Sequence, residues 1–346
     1  MKRTNKILAL VSIILLTAGC CSSNYLKKEN NEIVKYEETG QTLQKNIMCK
    51  PNEDTELYKI YEKYNDQLEF KLEELPKCSE FKITSNDSKS LWQFLFVKPV
   101  AYLIIKLGTV VNNLGISLIL IGLLIRLVLM PLQIKSQKTS QNMQKAAPEI
   151  QKLEQKYKNR TDNEALMMKS QETMMIYKKY KVSPLLGCIL AFIQLPIFFA
   201  FLQAIYRIPT IYQESLFGWN LGMTPSTGIA KGNYTYLILV VLIAISTYFS
   251  FRYSMSQSTV AQPNDTKKQM STMTNVMTVM IIITSFSLPT AIGLYWIVTY
   301  AFISIQTYVF GLLNGKTPKL KDDKKGKKRV TQKLKEKEGM KYGKNS

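Results

Sequence analysis

The apolar positions of this chain fall in blocks separated by long polar stretches, and the blocks have the lengths of membrane-crossing helices. The clearest is Gly115 to Leu132, GISLILIGLLIRLVLMPL, which carries one cation, Arg126, and stops at Met130-Pro131. With the turn expected at Asn112-Asn113, spans are predicted at 112–132, 185–206, 234–251, 271–288 and 290–312. Pro289 divides the last two, so they are expected to form a tight hairpin across the membrane. The predicted class is an all-α membrane protein with five transmembrane helices.

Leu91 to Val111 is also apolar but is broken by Lys98-Pro99 and Lys106, which fall on about the same helical face. It reads as an amphipathic helix (91–111) lying in the outer interface, with Trp92 and Tyr102 at headgroup level; a full span is the competing reading. Upstream, 20–90 is a polar extracytoplasmic region. In it Leu57, Tyr61, Tyr64, Leu68, Leu72 and Leu75 recur at steps of three or four, predicting one amphipathic helix that ends near Pro76. The first block, Ile7 to Leu16 after Met1-Lys2-Arg3, is too short to span and reads as an export signal, 1–19. Gly19 before Cys20 resembles a bacterial lipobox, which would lipidate Cys20. Thr17 departs from the aliphatic residue usual there, and an uncleaved anchor or ordinary cleavage competes.

Charge turns these blocks into a topology. The chain has 46 Lys and Arg against 25 Asp and Glu, a net charge of +21. The segment 133–184 holds Lys135, Lys138, Lys145, Lys152, Lys156, Lys158, Arg160, Lys169, Lys178, Lys179 and Lys181, whereas 207–233 has only Arg207 and Lys231. By the positive-inside rule 133–184, 252–270 and the tail 313–346 are cytoplasmic, 207–233 is an outer loop, and the N-terminus is outside. The tail is basic and almost without apolar residues. It suits ribosomal RNA or anionic headgroups, or is only a solvated topology signal. Nothing in it reads DNA sequence.

The segment 133–184 is itself structured. Ile134 to Lys158 reads as one helix, and Thr161-Asp162-Asn163-Glu164 has the form of a capping box opening a second helix to Tyr180. That second arm carries Met167, Met168, Met174 and Met175. Flexible thioethers suit either a transient contact surface for apolar chains or the seam between the two arms.

Much chemistry is excluded. The chain has no histidine, no CxxC and no phosphate-binding glycine motif, and the spans contain no Asp or Glu, so an enzyme, a metal site and a bound cofactor are not expected. Cys49 and Cys78 either pair or stay free thiols. What the spans offer is Gln194, Gln203, Asn275, Thr278, Thr284 and Ser285, with Trp296, Thr299, Tyr300, Ser304 and Thr307 as a polar stripe in the last. Arginine at the centre of a span costs roughly 2.5 to 3.5 kcal/mol, so Arg126 needs acceptors or water. A hydrated cavity around it would attract acidic segments of another chain. In the bland reading these polar side chains only join helices.

Three sets of residues resemble one family. Lys181-Val182-Ser183-Pro184-Leu185, Gly187-Cys188 and Ile193-Gln194-Leu195-Pro196-Ile197-Phe198 resemble the second conserved span of the YidC family of membrane-protein insertases, bacterial relatives of the mitochondrial Oxa insertase. Leu288-Pro289, Gly293-Leu294-Tyr295-Trp296-Ile297-Val298 and Gln306 are similar to its final hairpin. Arg126, ahead of Met130-Pro131-Leu132 and Pro148-Glu149-Ile150, is similar to its first core span. The resemblance covers about Leu91 to Leu313. It implies a hydrophilic groove open to the cytoplasm and lipid, with Arg126 as its charge and Gln194, Trp296, Thr299 and Tyr300 as lining. It also implies that the cytoplasmic hairpin receives substrates.

The function expected is insertion and folding of integral membrane proteins without nucleotide hydrolysis, in a bacterial plasma membrane. Alternatives are a small-solute or anion channel or transporter, and an assembly chaperone without insertase activity. Partners expected are nascent membrane proteins and anionic lipids. A Sec translocon, and a ribosome at the tail, are partners the residues leave open.

Overall fold

The computed structural model describes residues 24–85, 90–160, 162–183, 186–258 and 264–313. The expected lipidation at Cys20, Thr161 of the capping box and the tail beyond 313 lie outside these residues. Elements are almost all helical, with two short β-hairpins among the described residues, Lys35–Tyr36 with Gln41–Thr42 and Ser215–Leu216 with Trp219–Asn220.

Residues 24–85 build a small folded cap. Its helix α1, Glu56–Lys63, starts on Thr55, whose hydroxyl accepts from Tyr58 N at 3.3 Å. The predicted helix to Pro76 does not form, because Tyr64 closes α1 and Asn65, at the start of a 3-10 turn, accepts from Leu72 N at 2.9 Å through its side chain, turning the chain back. The periodic residues still converge: Leu57, Tyr61, Leu68, Leu72 and Leu75 bury in one core with Leu26, Val34, Tyr36, Leu43, Ile47 and, from far along the chain, Tyr212. Cys49 and Cys78 pair as a disulfide, and both are buried in the larger cluster that contains Phe81, Trp92 and the helix interior.

Helix α2, Lys98–Val111, follows a π-helical stretch, Gln93–Val97. Lys98 and Lys106 do not share a solvated face: Lys98 is buried and donates to the Ser85 carbonyl at 2.9 Å, tying α2 to the cap. Asn112 closes α2 in the left-handed conformation, a position Asn tolerates, and Asn113 caps the next helix by accepting from Ile116 N. Gly108 permits the reversal, since a Cβ there would collide with the Leu114 side chain.

Helix α3, Leu114–Lys156, is continuous through Pro131 and Pro148. The span predicted to stop at Met130-Pro131 instead runs on as the first arm of the hairpin. Each proline removes one intrahelical bond, but long helical flanks on both sides hold the geometry. Helix α4, Asn163–Lys179, is the second arm. It is capped by Asp162, which accepts from Ala165 N at 3.0 Å, one residue later than the capping box predicts. Leu153, Tyr157 and Ala165 are buried in the seam, with Ile176 packed on them. Ion pairs Lys156–Glu172 and Lys179–Glu149, each 2.6 Å, flank it.

The remaining helices are α5 (Leu186–Arg207), α6 (Pro225–Ala230), α7 (Thr235–Ser258), α8 (Asn264–Ser285) and α9 (Thr290–Leu313). By length and composition four helical stretches among the described residues could cross a membrane: Gln93–Val111, Leu114–Lys156, Thr235–Met255 and Thr290–Leu313. Ile193–Arg207 and Ser271–Ser285 are shorter apolar stretches. The protein is thus an all-α membrane protein. One pairing differs from expectation: α8 packs along α7 and not as a tight hairpin with α9. Helix α9 meets α5 and α7 through large rings, with Tyr295 on Phe201 (centroids 4.3 Å), Trp296 on Phe198 (5.9 Å) and Tyr300 on Phe251 (5.6 Å).

The segment 207–233 joins one end of this bundle to the cap. Glu214 accepts from Leu114 N at 2.7 Å at the start of α3, where a carboxylate also suits the helix dipole. The Met223 carbonyl accepts from Thr290 N and Oγ1, and the Leu221 carbonyl from Ala291 N, at the start of α9. Toward the cap, Met48 N donates to the Arg207 carbonyl at 2.9 Å and Gln213 Nε2 to Thr55 Oγ1 at 2.8 Å. This is the capped end; the α3–α4 hairpin marks the other.

Candidate functional site

Four helices change the character of the interior at one level. Near the capped end the buried side chains are apolar: Leu118 and Ile121 on α3, Ala200, Phe201 and Ala204 on α5, Leu239 and Ile243 on α7, Ile292, Leu294 and Tyr295 on α9. One or two turns toward the hairpin end, polar residues take their place. Arg126 is 4% exposed, Thr247 0%, Ser250 3% and Thr299 1%, and Gln194 lies partly buried on α5.

This layer is short of partners. Among the described residues no ion pair involves Arg126, and its Nε is buried without a hydrogen bond. The hydroxyls of Thr247 and Thr299 are likewise buried and unpaired. Buried polar groups in folded proteins are nearly always satisfied by protein or by ordered water. Several unmet groups at one level therefore describe a place built for water or for polar atoms of another molecule. Gly122, one turn before Arg126, faces Tyr295, Val298 and Thr299 with van der Waals room and brings α3 against α9.

The predicted residues divide in space. Arg126 and Tyr300 come together: Tyr295 and Tyr300 both lie in the neighbourhood of the guanidinium. Gln194 joins them through Tyr295, donating from Nε2 to its hydroxyl at 3.2 Å. Thr299 sits in the same layer. Trp296, 8% exposed, stacks on Phe198 of α5, one turn from Gln194 along that helix. The four methionines lie apart, on α4. Met167 is 65% exposed, Met175 60%, Met174 45% and Met168 43%, so the seam is filled by other residues and the thioethers face outward.

Sequence reasoning missed Tyr295 as a site residue, because a tyrosine inside an apolar span reads as packing. It missed Thr247, Ser250 and Gln137 as well. Thr247 and Ser250 are small polar residues in an apolar run, and Gln137 stands among other polar residues, so none stands out in the sequence.

An all-helical, multi-pass membrane protein whose interior turns polar around one unpaired arginine is the class defined so far. The chain belongs to the 60Kd inner membrane protein family, whose model matches residues 106–315. It is 35% identical over 237 residues to the membrane protein insertase YidC of Oceanobacillus iheyensis, covering 67% of this chain and 89% of that one. To the membrane protein insertase MisCA of Bacillus subtilis it is 34% identical over 238 residues, 68% of this chain and 85% of that protein. To the insertase YidC 2 of Bacillus anthracis it is 34% identical over 252 residues, covering 72% and 91%.

Proposed function

We propose that this protein inserts other proteins into the membrane by receiving their polar segments in the layer around Arg126. The observation that carries the reading is the buried guanidinium, which has no carboxylate partner among the described residues and lies in a layer of unmet hydroxyls. Two unit charges 4 Å apart attract by about 4 kcal/mol at an effective dielectric of 20. A passing carboxylate thus offsets part of the desolvation of both groups. The substrate's apolar helix meanwhile meets lipid beside the exposed apolar faces of α7 and α8, such as Ile238, Val241, Ile245, Val276, Met280 and Ile283. The step is exchange of partners, and needs no nucleotide.

Orientation follows from the charges, with the capped end outside and the hairpin in the cytoplasm. The disulfide supports this, since such bonds persist in oxidising compartments. Five helices, α3, α5, α7, α8 and α9, then cross the membrane. Helix α2 lies across the outer surface, a placement supported by its ties at two helix ends: Trp92 Nε1 donates to Gln203, about one turn inside α5, and the Ile104 carbonyl accepts from Ser117, about one turn inside α3. The exposed methionines of α4 receive apolar chains before insertion. Lipidation at Cys20 anchors the N-terminus, and the basic tail meets anionic headgroups or the ribosome.

The test is insertion of a single-span substrate with an acidic outer tail into vesicles containing the purified protein. Arg126→Lys is expected to retain most activity and Arg126→Ala to lose about tenfold or more. Equal insertion by Arg126→Ala and the native protein, or ion conductance without insertion, overturns the reading.

A further inference from the structure

We propose that the polar interior contains a second, uncharged station at Gln137 and Gln306, which takes the peptide backbone and neutral polar side chains of a passing substrate; this rests on the insertase reading. Both amide atoms of Gln306, Oε1 and Nε2, are buried and have no hydrogen-bond partner. Gln137 donates from Nε2 to Thr307 Oγ1 at 3.1 Å, which joins α3 to α9, and leaves its own Oε1 buried and unpartnered. A primary amide sealed from water without partners is strongly unfavourable in apolar surroundings. If these glutamines only joined helices, both amides would be spent on neighbours, as the Nε2 of Gln137 is.

The two stations differ in chemistry. Arg126 has donors only and selects acceptors, carboxylates above all. A glutamine amide carries a donor and an acceptor in the arrangement of a peptide bond, so it pairs with a peptide group in either direction and ignores charge. Along α3 the stations are eleven residues apart, about 16 Å. An extended chain covers that distance in about five residues. A tail bearing a carboxylate therefore engages Arg126 while its backbone, a few residues away, meets the amides. A tail without carboxylates has the amides alone, so neutral polar tails depend on Gln137 and Gln306 more than acidic ones do.

The experiment uses the full chain in vesicles of phosphatidylethanolamine and phosphatidylglycerol. Two single-span substrates share one apolar helix and differ only in the outer tail, one containing Asp and the other only Ser, Asn and Gln. Gln306→Met and Gln137→Met remove the amide at similar volume; Gln306→Asn keeps one. Combining the two methionine variants is expected to lower neutral-tail insertion about three- to tenfold, the effect of one or two hydrogen bonds of about 0.6 kcal/mol or slightly more each, and to change Asp-tail insertion by less than about twofold. Arg126→Ala should reverse that order, and Gln306→Asn should recover part of the neutral-tail activity. Equal loss for both tails, or no loss for the neutral tail, overturns the amide station while leaving the insertase reading intact. Failure of the native protein to insert either substrate overturns both.

Discussion

The side-chain amide of Gln194 donates to the hydroxyl of Tyr295 at 3.2 Å, and the Tyr295 ring packs against Gly122, one turn before Arg126. One tyrosine thus links α5, α9 and the helix that carries the cation. Tyr295→Phe keeps the ring on Phe201 and removes the hydrogen bond to Gln194. The expected result is a stability loss of about 1 kcal/mol in thermal melts and a smaller fall in acidic-tail insertion than Arg126→Ala produces. Tyr295→Ala, by contrast, empties a fully buried site and should cost about 3 to 5 kcal/mol. If Tyr295→Phe were as inactive as Arg126→Ala, the hydroxyl itself would be the substrate contact.

The Cys49–Cys78 bond closes a loop with a sequence separation of 29 residues. Constraining a loop of that length is worth about 3.5 kcal/mol on the chain-entropy estimate. Cys49→Ala with Cys78→Ala, or reductant, is expected to open the cap to protease while leaving the membrane helices resistant. Unchanged proteolysis would show that the cap core suffices alone.

In the hairpin, hydrogen bonds from Lys179 and Lys156 hold the Glu149 and Glu172 carboxyls below their ordinary range. The same contacts raise both lysines. A depressed carboxylate gives stability that is present above its unfolded pKa and lost as pH falls through the folded one. A raised lysine gives stability present below its unfolded pKa and lost as pH rises through the folded one. Docking of α4 on α3 should therefore be constant near neutrality and weaken below the carboxylate range and above the lysine range. Because these pairs are exposed, the change is small and diminishes with salt. Amide exchange along α4 against pH checks it; a maximum outside the neutral range would contradict the pairing.

Met167→Gln with Met175→Gln alters side chains that are mostly exposed. Folding stability should stay within about 0.5 kcal/mol, while cross-linking of α4 to an apolar nascent segment should fall. A large loss of stability would instead place these thioethers in a structural contact.

The apolar helices were legible because long apolar runs admit few alternatives, and Arg126 stood out as a cation inside one. Their ends were less so. Pro131 reads as a stop, yet α3 continues through it, because proline removes one bond from a helix that many others maintain. The partnering of α8 with α7 was hidden, since adjacency through Pro289 favours α9, whose large rings Tyr295, Trp296 and Tyr300 instead meet Phe201, Phe198 and Phe251 of α5 and α7. The cap could not be read from its periodic leucines alone, because its core is completed by Tyr212. At the site, lone polar residues in apolar runs were visible one by one. Their common depth was not, as it depends on how four helices are staggered.

Tyr212 also sets an order in time. The cap spans residues 24–85, and the side chain that completes its core leaves the ribosome 127 residues after Ser85, about 6 to 25 s later at ordinary rates of synthesis. Both Cys49 and Cys78 are out long before that moment, whereas Met48 must wait for the Arg207 carbonyl it bonds. The N-terminal cap therefore reaches its final packing only after α5 has been synthesised, so its maturation reports that the following helices have arrived.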